Sequence, residues 1–115
     1  MIAIDGPAAA GKGTLARRLA HHLGFAYLDT GLLYRAVAAK LIETRVGIEP
    51  EAAAAAAKAL APSDLDRPDL RGDDVAEVAS KVAAMGEVRA ALLSFQRTFA
   101  ATPPGNRPGA VLDGR

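Results

Sequence analysis

The chain has 115 residues, a formal net charge of +1, no cysteine and 50% hydrophobic residues, so it can bury one modest core. Missing cysteines exclude disulfides and cysteine-based zinc sites, and the near-neutral charge argues against a strong non-specific nucleic-acid surface. No apolar stretch approaches the roughly 20 residues of a membrane helix, and a glycine loop lies where a signal peptide would be, so we expect a cytoplasmic protein.

The first predicted elements are a short buried strand at residues 2–5, a glycine-rich loop and a helix. Glycines let backbone N–H groups approach a polyphosphate, the helix N-terminus favours the same anion, and Lys12 adds a mobile positive charge. The spacing predicts a phosphate-binding loop, and the alternative is an ordinary turn that contains two glycines. The loop consists of Gly6, Pro7, Ala8, Ala9, Ala10, Gly11, Lys12, Gly13 and Thr14.

Leucines at four-residue spacing mark the helix that follows the loop, from Lys12 to Leu23. Leu15, Leu19 and Leu23, with Ala16 and Ala20 beside them, predict one apolar face of this helix. Gly24 stands where a helix C-terminal glycine is expected.

A second strand and a second helix come next. Residues 25–29 form a short apolar segment that ends in aspartate, and Thr30 is a candidate N-cap for a helix over 31–44. Strand, helix, strand and helix in this order predict a right-handed βαβ unit with parallel strands, covered by helices.

The remainder of the chain is predicted to be mainly helical. Gly86 is expected to break or bend this part, and the stripe of Val88, Leu92, Phe95 and Phe99 is interpreted as core. The expected segments are a helix over 49–60, a polar connector over 62–74, a helix capped by Asp73 or Asp74, a helix over 87–101, a loop over 102–109 and a third parallel strand over 110–115.

Polar side chains follow the end of each predicted strand. In an open parallel sheet, ligands bind beyond the carboxyl ends of the strands. We therefore expect Lys12, Thr30, Arg35, Asp113 and Arg115 to converge on one edge of the sheet. Arg35 could bind a phosphate with its forked guanidinium group. The alternative interpretation is that Arg35 is a solvated arginine on the helix surface.

Taken together, the motifs of this chain resemble those of bacterial cytidylate kinases. That resemblance implies an α/β fold of the P-loop nucleoside monophosphate kinase type, with three α/β/α layers and a parallel sheet. It also implies transfer of the γ-phosphoryl group of ATP to CMP or dCMP, with Mg²⁺. The motifs are Asp-Gly-Pro-Ala-Ala-x-Gly-Lys-Gly-Thr from residue 5, Leu-Asp-Thr-Gly-x-x-Tyr-Arg from residue 28, Ala-Ser-Lys-Val-Ala from residue 79, Val-Arg-Ala-Ala-Leu-x-x-Phe-Gln-Arg from residue 88 and Leu-Asp-Gly-Arg from residue 112.

The same resemblance implies roles for individual residues. The loop from Gly6 to Thr14 would bind ATP, with Lys12 and Arg115 in catalytic roles. Thr14 and Asp113 would lie near the magnesium ion, and Asp113 would act there through bound water. The alternative role of Asp113 is to cap the loop that follows it. Acceptor-binding residues would be Thr30, Tyr34, Arg35, Ser80, Arg89 and Arg115.

The resemblance further implies that the chain is truncated, with about three core strands and without the lid that closes over ATP. We expect residues 1–115 to be the N-terminal part of a single kinase domain, with about 30–85 forming the acceptor-binding part. We expect the fragment to be inactive alone and the full-length protein to be monomeric, without nucleic-acid or membrane partners. Alternatives are another P-loop small-substrate kinase, related to adenylate or shikimate kinase, or a non-catalytic nucleotide-binding remnant.

Overall fold

The computed structural model describes residues 2–4, 12–45 and 47–113 of the chain. Within them the order of helices and strands follows the sequence-based prediction. The elements are β1 (Ile2–Ile4), α1 (Lys12–Leu23), β2 (Ala26–Asp29), α2 (Thr30–Thr44), α3 (Pro50–Lys58), α4 (Asp73–Ala83), α5 (Gly86–Ala101) and β3 (Ala110–Asp113), with 3₁₀ segments at Pro62–Asp66, Pro68–Arg71 and Pro104–Asn106.

The three strands form one parallel sheet in the order β1-β3-β2. Parallel pairing is as predicted. The last strand of the chain is central, and its Val111 pairs with Ile2 on one side and Tyr27 on the other. In the same register Asp113 pairs with Ile4 and Asp29, so the carboxyl ends of all three strands lie at one edge.

The chain divides into two compact units, Met1–Gly31 with Gln96–Arg115, and Leu32–Phe95. In the first unit α1 packs on the sheet through its alanines, because Ala16 and Ala20 form a buried cluster with Val111. Of the predicted helix face, Ala16 and Ala20 are buried and Leu19 packs against them, whereas Leu15 is 64% exposed and Leu23 is also exposed. Small residues let a helix backbone lie close to the sheet, so the alanines occupy the contact and Leu19 lies at its margin.

The second unit is helical and has its own core. A break between α4 and α5 occurs directly before Gly86, the first residue of α5, close to the predicted position. Val88 and Leu92 of the predicted stripe are fully buried. The largest fully buried side chains of this unit are Leu33, Val37, Val82, Val88 and Leu92.

The segment predicted to be a polar connector has more structure than expected. It contains two 3₁₀ segments that each begin with a proline, and Leu70 in the second is only 2% exposed. The predicted caps of α4 are wrong, because Gly72 is the N-cap, while Asp73 and Asp74 lie in the first turn. There their charges still favour the positive end of the helix dipole.

The helices that the structure describes include none that is both long and apolar enough to cross a membrane.

Candidate functional site

A buried carboxylate lies at the end of the central strand, where the site was predicted. Asp113 is the last residue of β3 and is only 6% exposed. The Tyr27 hydroxyl donates a hydrogen bond to Asp113 Oδ2 at 2.8 Å. Thr30 Oγ1 donates to the main-chain carbonyl of Asp113 at 3.0 Å. The ends of β2 and β3 are therefore joined by two side-chain hydrogen bonds to the same aspartate.

Helix α2 begins directly after β2, and its capping residue differs from the prediction. The Gly31 N–H donates to Asp29 Oδ1 at 3.0 Å, which is the geometry of an N-cap aspartate bound to the second helical residue. Thr30 is already the first residue of the helix, and its hydroxyl is bonded to β3. Asp29 therefore caps the helix in place of Thr30.

The phenol of Tyr27 is held as a hydrogen-bond donor. Burial, together with the hydrogen bond to Asp113, raises its pKa well above the ordinary value of a tyrosine. The guanidinium carbon of Arg17 lies 5.4 Å from the centre of the Tyr27 ring, within the range of a cation–π contact. The ring also packs against the cluster formed by Ala16, Ala20 and Val111.

The predicted phosphate loop lies largely outside the described residues. Residues 6–11 and the side chains of Lys12 and Thr14 are not among them, so the predicted contacts of this loop with phosphate stay predictions. The flanking elements are as predicted, because β1 ends at Ile4 and α1 begins at Lys12. A strand before the loop and a helix that starts at its lysine are the structural context that this motif requires.

Arg35, predicted to bind an acceptor phosphate, lies in the second unit. Its Nη1 donates to the carbonyl of Leu70 at 3.0 Å, in the 3₁₀ segment Pro68–Arg71. This bond uses one of the five N–H donors of a guanidinium and restricts the side chain. The preceding Tyr34 is half-buried on the same helix.

Ser80 and Arg89, predicted to recognise the cytosine, both contact helix α4: Ser80 is part of it, and Arg89 binds its C-terminal end. Ser80 is exposed on α4, and its hydroxyl donates to the Ala76 carbonyl at 3.2 Å. Arg89 Nη1 donates to the Ala83 carbonyl at 3.0 Å, at the C-terminal end of α4. A guanidinium there binds a free terminal carbonyl and is stabilised by the negative end of the helix dipole.

The structure therefore brings some predicted residues together. Thr30 and Asp113 are in direct contact, and Arg89 reaches the helix that carries Ser80. Arg115 lies outside the described residues. The sequence interpretation gave no role to Tyr27 or Asp29. Tyr27 lies two residues before Asp29 on a strand, so both project from one sheet face, and that alternation was the available signal.

The carboxylate oxygens at this edge are of the ligand type that hard divalent cations prefer. Over residues 2–4, 12–45 and 47–113, no three histidine or acidic side chains form a cluster that could hold a metal ion. Mg²⁺ is usually bound through one or two carboxylates, water and substrate phosphates, and therefore does not need such a cluster. Asp29 and Asp113, paired in register, are the carboxylates at the strand ends.

Comparison with known proteins agrees with these observations. A model of the cytidylate kinase family matches residues 2–115. The chain is 65% identical to the cytidylate kinase of Paramagnetospirillum magneticum, 59% to that of Rhodospirillum rubrum and 58% to that of Rhodopseudomonas palustris. Each alignment covers all of this chain and 53–54% of the relative, so the chain spans about half the length of the curated relatives it matches. This chain belongs to the cytidylate kinase family and has the α/β architecture of its P-loop nucleoside monophosphate kinase fold.

Proposed function

We propose that the complete product of the gene encoding this chain transfers the γ-phosphoryl group of ATP to CMP or dCMP, yielding ADP and CDP or dCDP. The observation that carries this proposal is the match of the cytidylate kinase family to residues 2–115. Relatives that bear this name are 54–65% identical over the whole chain, which supports a shared reaction.

The loop between β1 and α1 is the proposed ATP site. Backbone N–H groups of residues 6–14 surround the phosphates, and Lys12 contacts the group that is transferred. Support comes from the strand that precedes this loop and the helix that begins at Lys12. The first-turn N–H groups of that helix favour an anion at its N-terminus.

We propose Mg²⁺ as the metal that accompanies ATP. The Thr14 hydroxyl and the Asp113 carboxylate are the proposed groups near it, Asp113 acting through bound water. When bound, the ion neutralises charge on the phosphate oxygens. The buried position of Asp113 at the end of the central strand supports this role.

Residues from about 30 to 85 are proposed to form the acceptor-binding part. Thr30 and Arg35 contact CMP, and Tyr34 lines its pocket. Ser80 and Arg89 recognise the cytosine. The bond from Arg35 to Leu70 supports the assignment, because a guanidinium held on one side presents its other donors with less loss of entropy.

The reaction is a direct transfer without a covalent enzyme intermediate. An oxygen of the CMP phosphate forms a bond to the γ-phosphorus, and the bond from that phosphorus to the β–γ bridging oxygen breaks. Catalysis of such a transfer is mainly positioning and charge neutralisation. Lys12 and Arg115 supply positive charge where negative charge develops.

Residues 1–115 on their own are proposed to be inactive. Kinases of this type exclude water by closing a lid over the nucleotide, and the chain spans about half the length of its relatives. The complete protein is proposed to be a cytoplasmic monomer that acts on nucleotides and has neither nucleic acid nor membrane as a partner.

A substrate panel tests the proposed function. The complete gene product is purified and incubated with ATP, Mg²⁺ and one acceptor at a time: CMP, dCMP, UMP, AMP, GMP or shikimate. We expect ADP to form fastest with CMP or dCMP. Preferred use of AMP or shikimate would identify a different small-substrate kinase. Absence of transfer to every acceptor, with ATP bound, would indicate a non-catalytic nucleotide-binding protein.

A further inference from the structure

The hydrogen bond between Tyr27 and Asp113 joins two strands and ends on the carboxylate that the proposed function places near the metal. Tyr27 pairs with Val111 across the sheet, and Asp113 follows Val111 by two residues. Side chains two residues apart on a strand lie on the same face. The phenol therefore crosses diagonally from β2 to reach Asp113 Oδ2 at 2.8 Å.

The Tyr27 ring is well placed to fix the orientation of that carboxylate. The ring packs on the buried cluster of Ala16, Ala20 and Val111, and the Arg17 guanidinium lies over one of its faces. A packed aromatic ring has few rotamers, so its hydroxyl lies at one defined position. A hydroxyl from a flexible side chain would not restrict its partner to the same degree.

Tyr27 and Thr30 hold different parts of Asp113. Tyr27 binds the side chain, and Thr30 binds the main-chain carbonyl. Asp113 is also nine-tenths buried, which limits the alternative positions of the carboxylate. Hydrogen-bonded partners of metal ligands orient those ligands and tune the affinity of the site, and the same physical reasoning applies to a carboxylate that orients metal-bound water.

We infer that Tyr27 is a positioning residue: its hydroxyl aims the Asp113 carboxylate toward the magnesium–nucleotide complex. This inference rests on the proposed function. Tyr27 itself touches neither substrate nor metal. Loss of its hydroxyl therefore weakens divalent-cation binding in the presence of nucleotide and leaves the KM for CMP unchanged.

The test compares Tyr27→Phe with the unaltered complete gene product. Phenylalanine keeps the ring and its packing and removes only the hydroxyl. Binding of Mn²⁺, used as a paramagnetic substitute for Mg²⁺, is measured by electron paramagnetic resonance with a non-hydrolysable ATP analogue. We expect the Kd for Mn²⁺ to rise by up to about tenfold, the lower end of the loss typical for partners of direct metal ligands, because Asp113 acts through bound water. The KM for Mg²⁺ should rise with it.

Two matched variants separate positioning from general loss of a hydrogen bond. Thr102→Val removes an exposed hydroxyl of the same unit that donates a hydrogen bond to the Thr98 carbonyl at 3.0 Å. This variant should leave Mn²⁺ binding unchanged. Replacing Tyr27 by 4-aminophenylalanine restores an N–H donor at the ring and should recover most of the Mn²⁺ affinity.

Unchanged Mn²⁺ affinity in Tyr27→Phe would overturn the inference, whatever the CMP assay shows. Weaker Mn²⁺ binding supports it even if CMP is not the acceptor, so its failure and that of the proposed function are distinguishable. Should Tyr27→Phe not fold, 3-fluorotyrosine at position 27 serves instead, observed by ¹⁹F NMR. A resonance that shifts with Mg²⁺–ATP and broadens with Mn²⁺ supports the inference, and an unresponsive one overturns it.

Discussion

The Thr30 hydroxyl donates a hydrogen bond to the main-chain carbonyl oxygen of Asp113, with 3.0 Å between the two oxygens, although 83 residues separate Thr30 from Asp113 in the chain. Both residues are nine-tenths buried. The bond joins the first residue of α2 to the last residue of the central strand. It thus fixes the start of α2 to the end of β3.

Thr30→Val tests the strength of that connection. Valine has nearly the same shape and lacks the hydroxyl, so the variant should lose about 1 kcal/mol of unfolding free energy, a typical net contribution of one hydrogen bond. Thr30→Ser keeps the hydroxyl and should retain most of the stability. Urea denaturation of the complete gene product measures both. Equal stability of the valine variant and the unaltered protein would contradict a structural role for the bond.

Lys12→Ala is expected to lower kcat for CMP phosphorylation by about 10²–10³-fold, the loss typical when one charge-stabilising donor is removed. The fold should persist, because the residue lies at the first position of α1. Steady-state kinetics and circular dichroism measure the two properties. Lys58→Ala, an exposed lysine at the end of α3, is the control and should keep its activity. An unaltered rate in Lys12→Ala would refute the phosphate-loop assignment.

Arg89→Met is expected to raise the KM for CMP by about tenfold or more, because a charge-assisted hydrogen bond typically contributes about 1.5–3 kcal/mol. The KM for ATP should not change. Arg18→Met removes another exposed arginine, on α1, and serves as the control. If Arg89→Met left the KM for CMP as it was, Arg89 would have only the structural role of binding the Ala83 carbonyl.

Gly109→Ala is expected to destabilise the first unit. A Cβ at this position would lie 2.8 Å from two ring carbons of Phe25, which packs against the α1–sheet cluster. Relieving that clash should cost about 1–3 kcal/mol, the usual range for overpacking. Gly47→Ala is the control, since its Cβ would meet Glu49 at an ordinary 3.6 Å. Thermal unfolding measures both, and equal melting temperatures would show that the ring moves aside freely.

Local patterns in the sequence predicted most elements of this fold. Apolar spacing and glycine punctuation indicated α1 from Lys12 to Leu23, the helix end at Gly24 and the break at Gly86. Gly24 has a φ of +68°, a conformation that glycine adopts without strain. These features depend on residues within one or two turns of each other, which is why the sequence alone could indicate them.

Family motifs in the sequence also indicated the cytidylate kinase family, and the family match confirmed this. The individual site residues stay predictions. Thr30 and Asp113 do lie together, as expected from the rule that ligands bind at the carboxyl ends of parallel strands. The rule could not say which atoms of the two residues would be bonded.

Only the tertiary structure decided how distant parts of the chain pair. Placement of β3 between β1 and β2 brings Tyr27 within reach of Asp113, and no local pattern encodes that order. The same holds for α1, where the spacing did not show that Ala16 and Ala20 make the contact while Leu15 and Leu23 stay exposed, because contact with the sheet selects small side chains. Residue spacing determines which side chains share a face of one element, whereas the partner of that face depends on close packing among segments far apart in the chain.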